Sequence, residues 1–270
     1  MSRPPLLGLL SLALGGLALA AACGGSAGGS AGEQAQERQT LLIAAAADLR
    51  AAFEEMQPVF EQTCKCTLEF TFGSSGTFAR QIEQGLPVDA LFSADLAYID
   101  GLDSKGLVVP GTKRQYAVGQ IVLAKPRSSL ARLEKLEDLL GPKIAKVAIP
   151  NPEHAPYGAA ASEALKAAGV WDAIQPRIVL GENTTQTTQY VATANADAAI
   201  VPLSLSIQND DVTYVMIDDS LYSPLRQTAA VLKSSKHPDL ARSLIDFIAS
   251  GKGRQIMSKY GFLPPTEALP

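Results

Sequence analysis

The chain has 270 residues, 47% of them hydrophobic and 19% charged, with a formal net charge of −4. An acidic balance without a basic run excludes a nucleic-acid-binding footprint. Two histidines and three cysteines in the whole chain leave little material for a His-rich metal site or a His-based catalytic centre.

The first 22 residues stand apart from the rest. Arg3 precedes the apolar run LLGLLSLALGGLALAAA, which ends in small residues and reads as a secretory signal peptide. Gly15–Gly16 interrupts the run, so it is a poor membrane span. LAAAC, ending at Cys23, resembles a bacterial lipoprotein cleavage box with Cys23 as the lipidated residue, although Ala20 stands where Leu is usual. Residues 24–39, GGSAGGSAGEQAQERQ, form a Gly/Ser/Ala tether with a reach of roughly 20–24 Å. The layout expected is export, anchor, tether and a body of about 230 residues, enough for one large domain or two lobes.

Within the body, β and α patterns alternate. TLLIAAAA (40–47) is an apolar strand, followed by Leu49, Ala52, Phe53, Met56 and Phe60 at helical spacing with Asp48 in the N-cap position. TCKC places Cys64 and Cys66 two apart. Read as extended strand, they share a face, a poor setting for a relaxed disulfide. An incidental or weakly bridged pair is preferred to a soft-metal site. TLEFTF (67–72) alternates as a strand and runs into Gly73, Ser74, Ser75, Gly76 and Thr77, then a helix marked by Phe78, Ala79 and Ile82. VDALFSA (88–94) is a third strand.

The second half repeats the theme. KVAIP (146–150) precedes NPEHAPYG and a helix through AAASEALKAAG. RIVL (177–180) precedes GEN and a helix from Asn183, and DAAIVPLSLS (197–206) returns as a strand. One long helix is expected over DLARSLIDFIASGKGRQIM, ahead of KYGFLP. Such alternation predicts an α/β architecture with largely parallel sheets.

Asp48, Ser74–Ser75, Pro156–Tyr157 and Asn183–Thr184 each sit where a strand's C-terminal end meets a helix N-terminus. Ligands of open α/β sheets gather at that edge. The first helical N–H groups lack intrahelical partners, and the macrodipole adds about half a positive charge, so these are anion sites that need no Lys or Arg. One such junction is commonplace; pairs of them in two sequence halves can face each other across a cleft.

The body resembles the periplasmic molybdate-binding proteins, the substrate-binding components of ABC-type importers. The resemblance covers residues 40–270. It is carried by AAAADL (44–49), FGSSGTFARQIEQGLPVDALFSAD (72–95), YAVGQIVLAKP (116–126), NPEHAPYG (151–158), VWDAIQPRIVLGEN (170–183), NADAAIVPLS (195–204) and KYGF (259–262). It implies a type II periplasmic-binding-protein fold: two α/β lobes joined by two crossing strands, with the ligand cleft between them. The crossings fall near Tyr116–Lys125 and Pro224–Leu232, which makes lobe one residues 40–118 plus 228–270 and lobe two residues 119–227. The implied function is capture of molybdate or tungstate and delivery to a membrane permease by a monomer, with no cofactor and no metal ligation. The oxyanion would be held by hydroxyls and backbone amides. Position by position, Ser75 matches the serine of the second loop with Ser74 beside it. Asp48, next to the backbone of Ala47, matches a position that is serine in some members. Tyr157 matches the position after Pro in NPEHAPYG, and Thr184 follows the polar pair of the next loop. Pro202 stands where some members have tyrosine, so that contact is absent and Tyr157 supplies a hydroxyl instead.

Asp48 is the misfit, because a carboxylate aimed at a dianion repels it. In one arrangement its side chain turns away, caps the helix at Leu49–Arg50–Ala51 and leaves a backbone N–H for the ligand, with Arg50 or another base neutralising it. That arrangement is preferred. In the other, Asp48 enters the pocket and shifts preference toward a protonated or cationic ligand. His154 reads as a hydrogen-bonder between loops and Arg80 as a residue of a solvated helix face. Rival functions are binding of sulfate, phosphate or an organic acid on the same fold, and an enzyme on a bilobal scaffold. GSSG lacks the Gly-Lys-Ser/Thr of a phosphate loop, and no Ser/His/acid spacing or metal-ligand cluster supports catalysis.

Overall fold

The computed structural model describes residues 38–265. The leader, Cys23, nearly all of the tether and residues 266–270 lie outside them. The body opens with β1 (Thr40–Ala46), a single 3-10 turn over Ala47–Leu49, and α1 (Arg50–Cys64). Then come β2 (Thr67–Gly73), α2 (Ser75–Glu83), β3 (Ala90–Ser93) and α3 (Leu96–Ser104). β4 (Arg114–Gly119) and β5 (Ile121–Pro126) are separated by Gln120 alone. The second half supplies β6 (Val147–Pro150), α4 (Pro156–Ala167), the short α5 (Trp171–Ile174), β7 (Ile178–Gly181), α6 (Thr184–Ala192), β8 (Ala198–Pro202) and β9 (Val212–Met216). The chain returns through β10 (Leu225–Val231) to α7 (Pro238–Ile248) and α8 (Gly251–Lys259).

Among the described residues ten strands make two five-stranded sheets, ordered β2-β1-β3-β10-β4 and β7-β6-β8-β5-β9. The two orders are the same pattern. In each sheet three strands run parallel, and the fourth runs against both of its neighbours. That fourth strand has crossed from the other half of the chain: β5 enters the second sheet directly after β4, and β10 enters the first after β9. Two lobes joined by two crossing segments result, the type II arrangement that the resemblance implied. The sheets are mixed rather than largely parallel, because the crossing strands arrive from the opposite direction. Leu225, Arg226 and Gln227 pair with Gly119, Val118 and Ala117 in the first sheet, although the sequence reading assigned them to lobe two. Polar Arg226 and Gln227 hid the start of that strand behind the apolar AAVL that follows.

The packing follows from the sequence pattern. β1, flanked by β2 and β3, is nearly continuous in apolar residues, as a strand covered on both faces must be. Ala52, Phe53, Met56 and Phe60 form the buried stripe of α1. Phe53 meets Phe92 of β3 edge-on at 5.1 Å between ring centroids, and Phe92 meets Tyr116 of β4 at 5.6 Å. Burying each such side chain contributes about 1.5–3 kcal/mol.

Three local expectations are corrected. The C-terminal helix is two helices, because Ser250 is extended (φ −143°, ψ 165°) and Gly251 takes φ +51°. Gly253 then approaches α7 so closely that a Cβ there would lie 2.2 Å from the Phe247 carbonyl oxygen. The strand expected over 197–206 stops at Pro202 and turns into a 3-10 segment, Leu203–Leu205. Cys64 and Cys66 do not share an extended strand. Cys64 ends α1, Lys65 takes the left-handed conformation (φ 56°), and a disulfide joins the two cysteines across a Cα–Cα distance of 5.2 Å.

Candidate functional site

The C-terminal ends of β1, β2, β3, β6 and β7 deliver five short backbone segments to one small cavity, with about 10 Å³ of room for the centre of a water-sized sphere. Its wall is Ala46–Asp48, Gly73–Ser75 and Ala94 from the first lobe, and Ala155–Tyr157 and Asn183–Thr184 from the second. All six candidate site residues are therefore brought together: Ala47, Asp48, Ser74, Ser75, Tyr157 and Thr184. α2, α4 and α6 begin at this cavity, so three helix N-termini present positive dipole ends to it. Asn183 caps α6, its Oδ1 accepting from the Gln186 N–H at 3.0 Å. Thr184 thereby becomes the first helical residue, with its N–H free of the cap.

The hydroxyls divide by role. Ser75 Oγ accepts from the Ala94 N–H at 3.0 Å, which fixes the oxygen and leaves its own proton to donate. Thr184 Oγ1 is buried and has no partner. Ser74 is different: its Oγ donates to the His154 carbonyl oxygen and stands 3.0 Å from His154 Nδ1. Its hydroxyl thus spans the cleft. The Gly76 N–H donates to the same His154 oxygen at 2.9 Å. On the first lobe's side, Ser204 Oγ donates to the Asp48 carbonyl at 2.7 Å and Thr185 Oγ1 to the Ala47 carbonyl at 3.4 Å. The lobes are hydrogen-bonded to each other around the cavity rim.

The preferred cap arrangement of Asp48 is overturned. Its side chain makes no cap hydrogen bond and is 1% exposed. Oδ2 accepts from Gln227 Nε2 at 2.7 Å, while Oδ1 is buried without a partner. The 3-10 turn over Ala47–Leu49 is the reason: it starts the helical rotation before Asp48 and turns the side chain inward instead of over the helix end. Arg50 does not neutralise it; that guanidinium pairs with Glu54 at 3.4 Å and lies over the Phe72 ring at 4.4 Å. Burial pushes the Asp48 carboxyl from 3.8 up to about 7, against the opposing influence of the nearby Tyr157 hydroxyl and the Gln227 amide. Burial, and next the Asp48 charge, hold the Tyr157 and Tyr116 phenols well above the usual tyrosine range, so both stay neutral donors.

Gln227 was not singled out in the sequence. The one signal was a glutamine inside the apolar strand LRQTAAV, where it is fully buried. Tyr116 OH donates to its Oε1 at 3.2 Å, and its Nε2 donates to Asp48 Oδ2 and to Tyr157 OH, the latter at 3.2 Å. Gly119 makes room for this group; a Cβ there would lie 2.1 Å from Tyr157 OH. His154 bridges loops as expected, Arg80 is exposed on α2, and Pro202 is absent from the cavity wall.

Chemically the cavity is a cage of neutral donors, short of any basic side chain on its wall. An ionised Asp48 would set it against anions, since two like unit charges 4 Å apart cost about 4 kcal/mol at an effective dielectric of about 20.

Comparison with known proteins agrees with this architecture. The family described as bacterial extracellular solute-binding protein matches residues 41–263. A molybdate-binding protein of Rhodobacter capsulatus is 33% identical over 225 residues, covering 83% of this chain and 88% of the relative. A putative ABC transporter substrate-binding lipoprotein of Bacillus subtilis is 29% identical over 231 residues, covering 84% of this chain and 87% of the relative. Among solved structures, the periplasmic molybdate-binding protein of Azotobacter vinelandii superposes with a TM-score of 0.79 at 28% identity, covering 84% of this chain and all of that one. With two sheets of one topology, two crossings and an interlobe cage at the strand ends, the chain belongs to the bacterial extracellular solute-binding protein family.

Proposed function

We propose that the protein captures molybdate or tungstate between its lobes and delivers it to an ABC-type permease. The observation that carries this is the cavity itself: helix N-termini from both lobes, with Ser75 and Thr184 each holding a hydroxyl proton that no protein acceptor takes. A tetrahedral dianion offers four acceptor oxygens and matches donors only. Hydrogen bonds to a charged partner contribute roughly 1.5–3 kcal/mol each. Several suffice for micromolar binding, which needs about 8 kcal/mol. No ion pair has to break on release, as a carrier requires. Phosphate near neutral pH carries its own proton, which such a cage leaves unpaired.

The ligand contacts in this reading are the backbone at Ala47, Asp48, the loop Ser74–Ser75, Tyr157 and Thr184. Ser75 and Thr184 face the anion, and Ser74 ties the lobes around it. The two lobes, with Gly119 and Leu225–Gln227 counted to the first through the pairing of β4 with β10, close on the ligand. The relatives named as binding components of transporters support the same role here. The leader and Cys23 fit a lipid-anchored, exported protein, taken here to act as a monomer. The test is calorimetric titration of residues 38–270 with molybdate, tungstate, sulfate and phosphate near neutral pH. Micromolar or tighter binding of the first two, with the others silent, is expected; no heat from any of them overturns the reading.

A further inference from the structure

Asp48 poses a question that the oxyanion reading leaves open: how a buried carboxyl group serves a cage for dianions. The geometry answers it. Oδ2 accepts from Gln227 Nε2 at 2.7 Å, and that amide can only donate, because Tyr116 OH donates to its other end, Oε1, at 3.2 Å. Oδ2 is therefore the carbonyl-like oxygen. A proton on the carboxyl group has to sit on Oδ1, the oxygen that is buried and unpartnered, in a residue that lines the cavity. We propose that Asp48 is a specificity-determining donor, a neutral carboxylic acid whose Oδ1–H hydrogen-bonds the bound oxyanion, so that anion capture is coupled to uptake of one proton. This rests on the oxyanion reading of the site and names how one residue of it works.

The surroundings agree. The titratable neighbours facing Asp48 are Tyr116 from β4 and Tyr157 from α4, both held neutral. From the elements packed nearby, Arg50 is turned to Glu54 and Phe72, while His154 lies behind Ser74 with Glu182 at 3.8 Å from its Nε2. No cation on the cavity wall holds the carboxyl group ionised. Burial already favours its neutral form, and an arriving dianion favours it further. The step balances simply: one proton moves from solvent to Oδ1 as the anion enters, and returns when it leaves. An acid buried in an apolar setting and kept protonated so that it can donate is an established device for stabilising oxyanions.

The experiment is calorimetry with molybdate between pH 6 and 9, a range in which molybdate itself stays a dianion, repeated in buffers of different ionisation enthalpy. The wild-type affinity is expected to fall toward tenfold per pH unit on the alkaline side, with close to one proton absorbed per anion. Asp48→Asn, an isostere that donates without titrating, is expected to bind with an affinity that does not change with pH and without proton uptake. His154→Gln is expected to keep the wild-type slope. Tight wild-type binding with a flat profile and no proton uptake overturns the proposal and leaves the oxyanion reading standing. A slope that vanishes in His154→Gln but persists in Asp48→Asn assigns the proton to the histidine and also overturns it. Absence of binding by wild type and Asp48→Asn at every pH overturns the oxyanion reading and the proposal with it.

Discussion

Gly76 and His154 meet backbone to backbone across the cleft: the Gly76 N–H donates to the His154 carbonyl at 2.9 Å, and a Cβ on Gly76 would lie 2.7 Å from that same oxygen. The main-chain contact between lobes therefore requires the glycine, while within its own lobe a Cβ would have to push aside the Tyr98 hydroxyl, the movable end of a side chain, at 2.8 Å. Gly76→Ala is expected to leave each lobe folded and to obstruct their approach. Overpacking of this kind costs about 1–3 kcal/mol. Anion affinity should fall roughly 10–100-fold, at about 1.4 kcal/mol per factor of ten. Small-angle scattering with saturating molybdate checks the cause: the variant should stay more extended than the wild type.

Thr184 and Ser75 offer a contrast. Thr184 Oγ1 is buried and unpartnered, so Thr184→Val removes a polar atom that has no protein partner. Stability should hold or rise slightly, while losing one bond to a charged ligand weakens binding about tenfold or more. Ser75 Oγ is the acceptor for the Ala94 N–H, so Ser75→Ala strands a buried donor. That variant should lose about 1–3 kcal/mol of stability as well as affinity. Chemical denaturation and calorimetry on both variants separate the two roles.

Asp48 also sets a pH dependence without ligand. Its folded-state carboxyl titrates near 7 instead of 3.8, so between those values the folded protein holds a proton that the unfolded chain has released. Stability therefore falls as pH rises across that window and levels off above it, by an amount on the order of a few kcal/mol. Asp48→Asn should flatten this portion of the profile. Urea midpoints at pH 5, 6, 7 and 8 for both proteins decide it: a wild-type curve no steeper than the variant's would contradict the prediction.

Gly119 is held small by the phenol of Tyr157, 2.1 Å from where a Cβ would be, with Gln227 Nε2 at 3.1 Å. Gly119→Ala should displace Tyr157 and loosen the amide that holds Asp48. A loss of about 1–3 kcal/mol is expected, together with weaker anion binding. A thermal melt and a molybdate titration that both match wild type would show that the site tolerates the shift.

Much of the site was legible because its chemistry is local. A strand running into GSSGT, or into NPEHAPYG, states its own turn, cap and helix start, and all six candidate residues reach one cavity. What local pattern cannot express is what the crossing strands contribute. Gln227 enters the site from a strand 179 positions away from Asp48, and its role depends on β10 lying between β3 and β4. The direction of the Asp48 side chain was misread for a related reason. An N-cap is the local option for an aspartate at a strand-to-helix junction, whereas the buried amide that captures it is a long-range partner. The break before Gly251 was missed because the apolar spacing continues across it, and the close packing of Gly253 on Phe247 is invisible in one dimension.

Both hydrogens of the Gln227 side-chain amide are committed, one to Asp48 and one to Tyr157, and its carbonyl is held by Tyr116. An asparagine at position 48 could keep that arrangement, since its carbonyl can accept the same hydrogen. A serine there is too short to reach it and would strand the amide. Among relatives, then, the residue at 227 should change in step with the residue at 48, although neither is near the other in sequence. The crossing strand becomes a written record of the residue just past the end of β1 in the same lobe, and pairwise covariation at these two positions is where that history would be read.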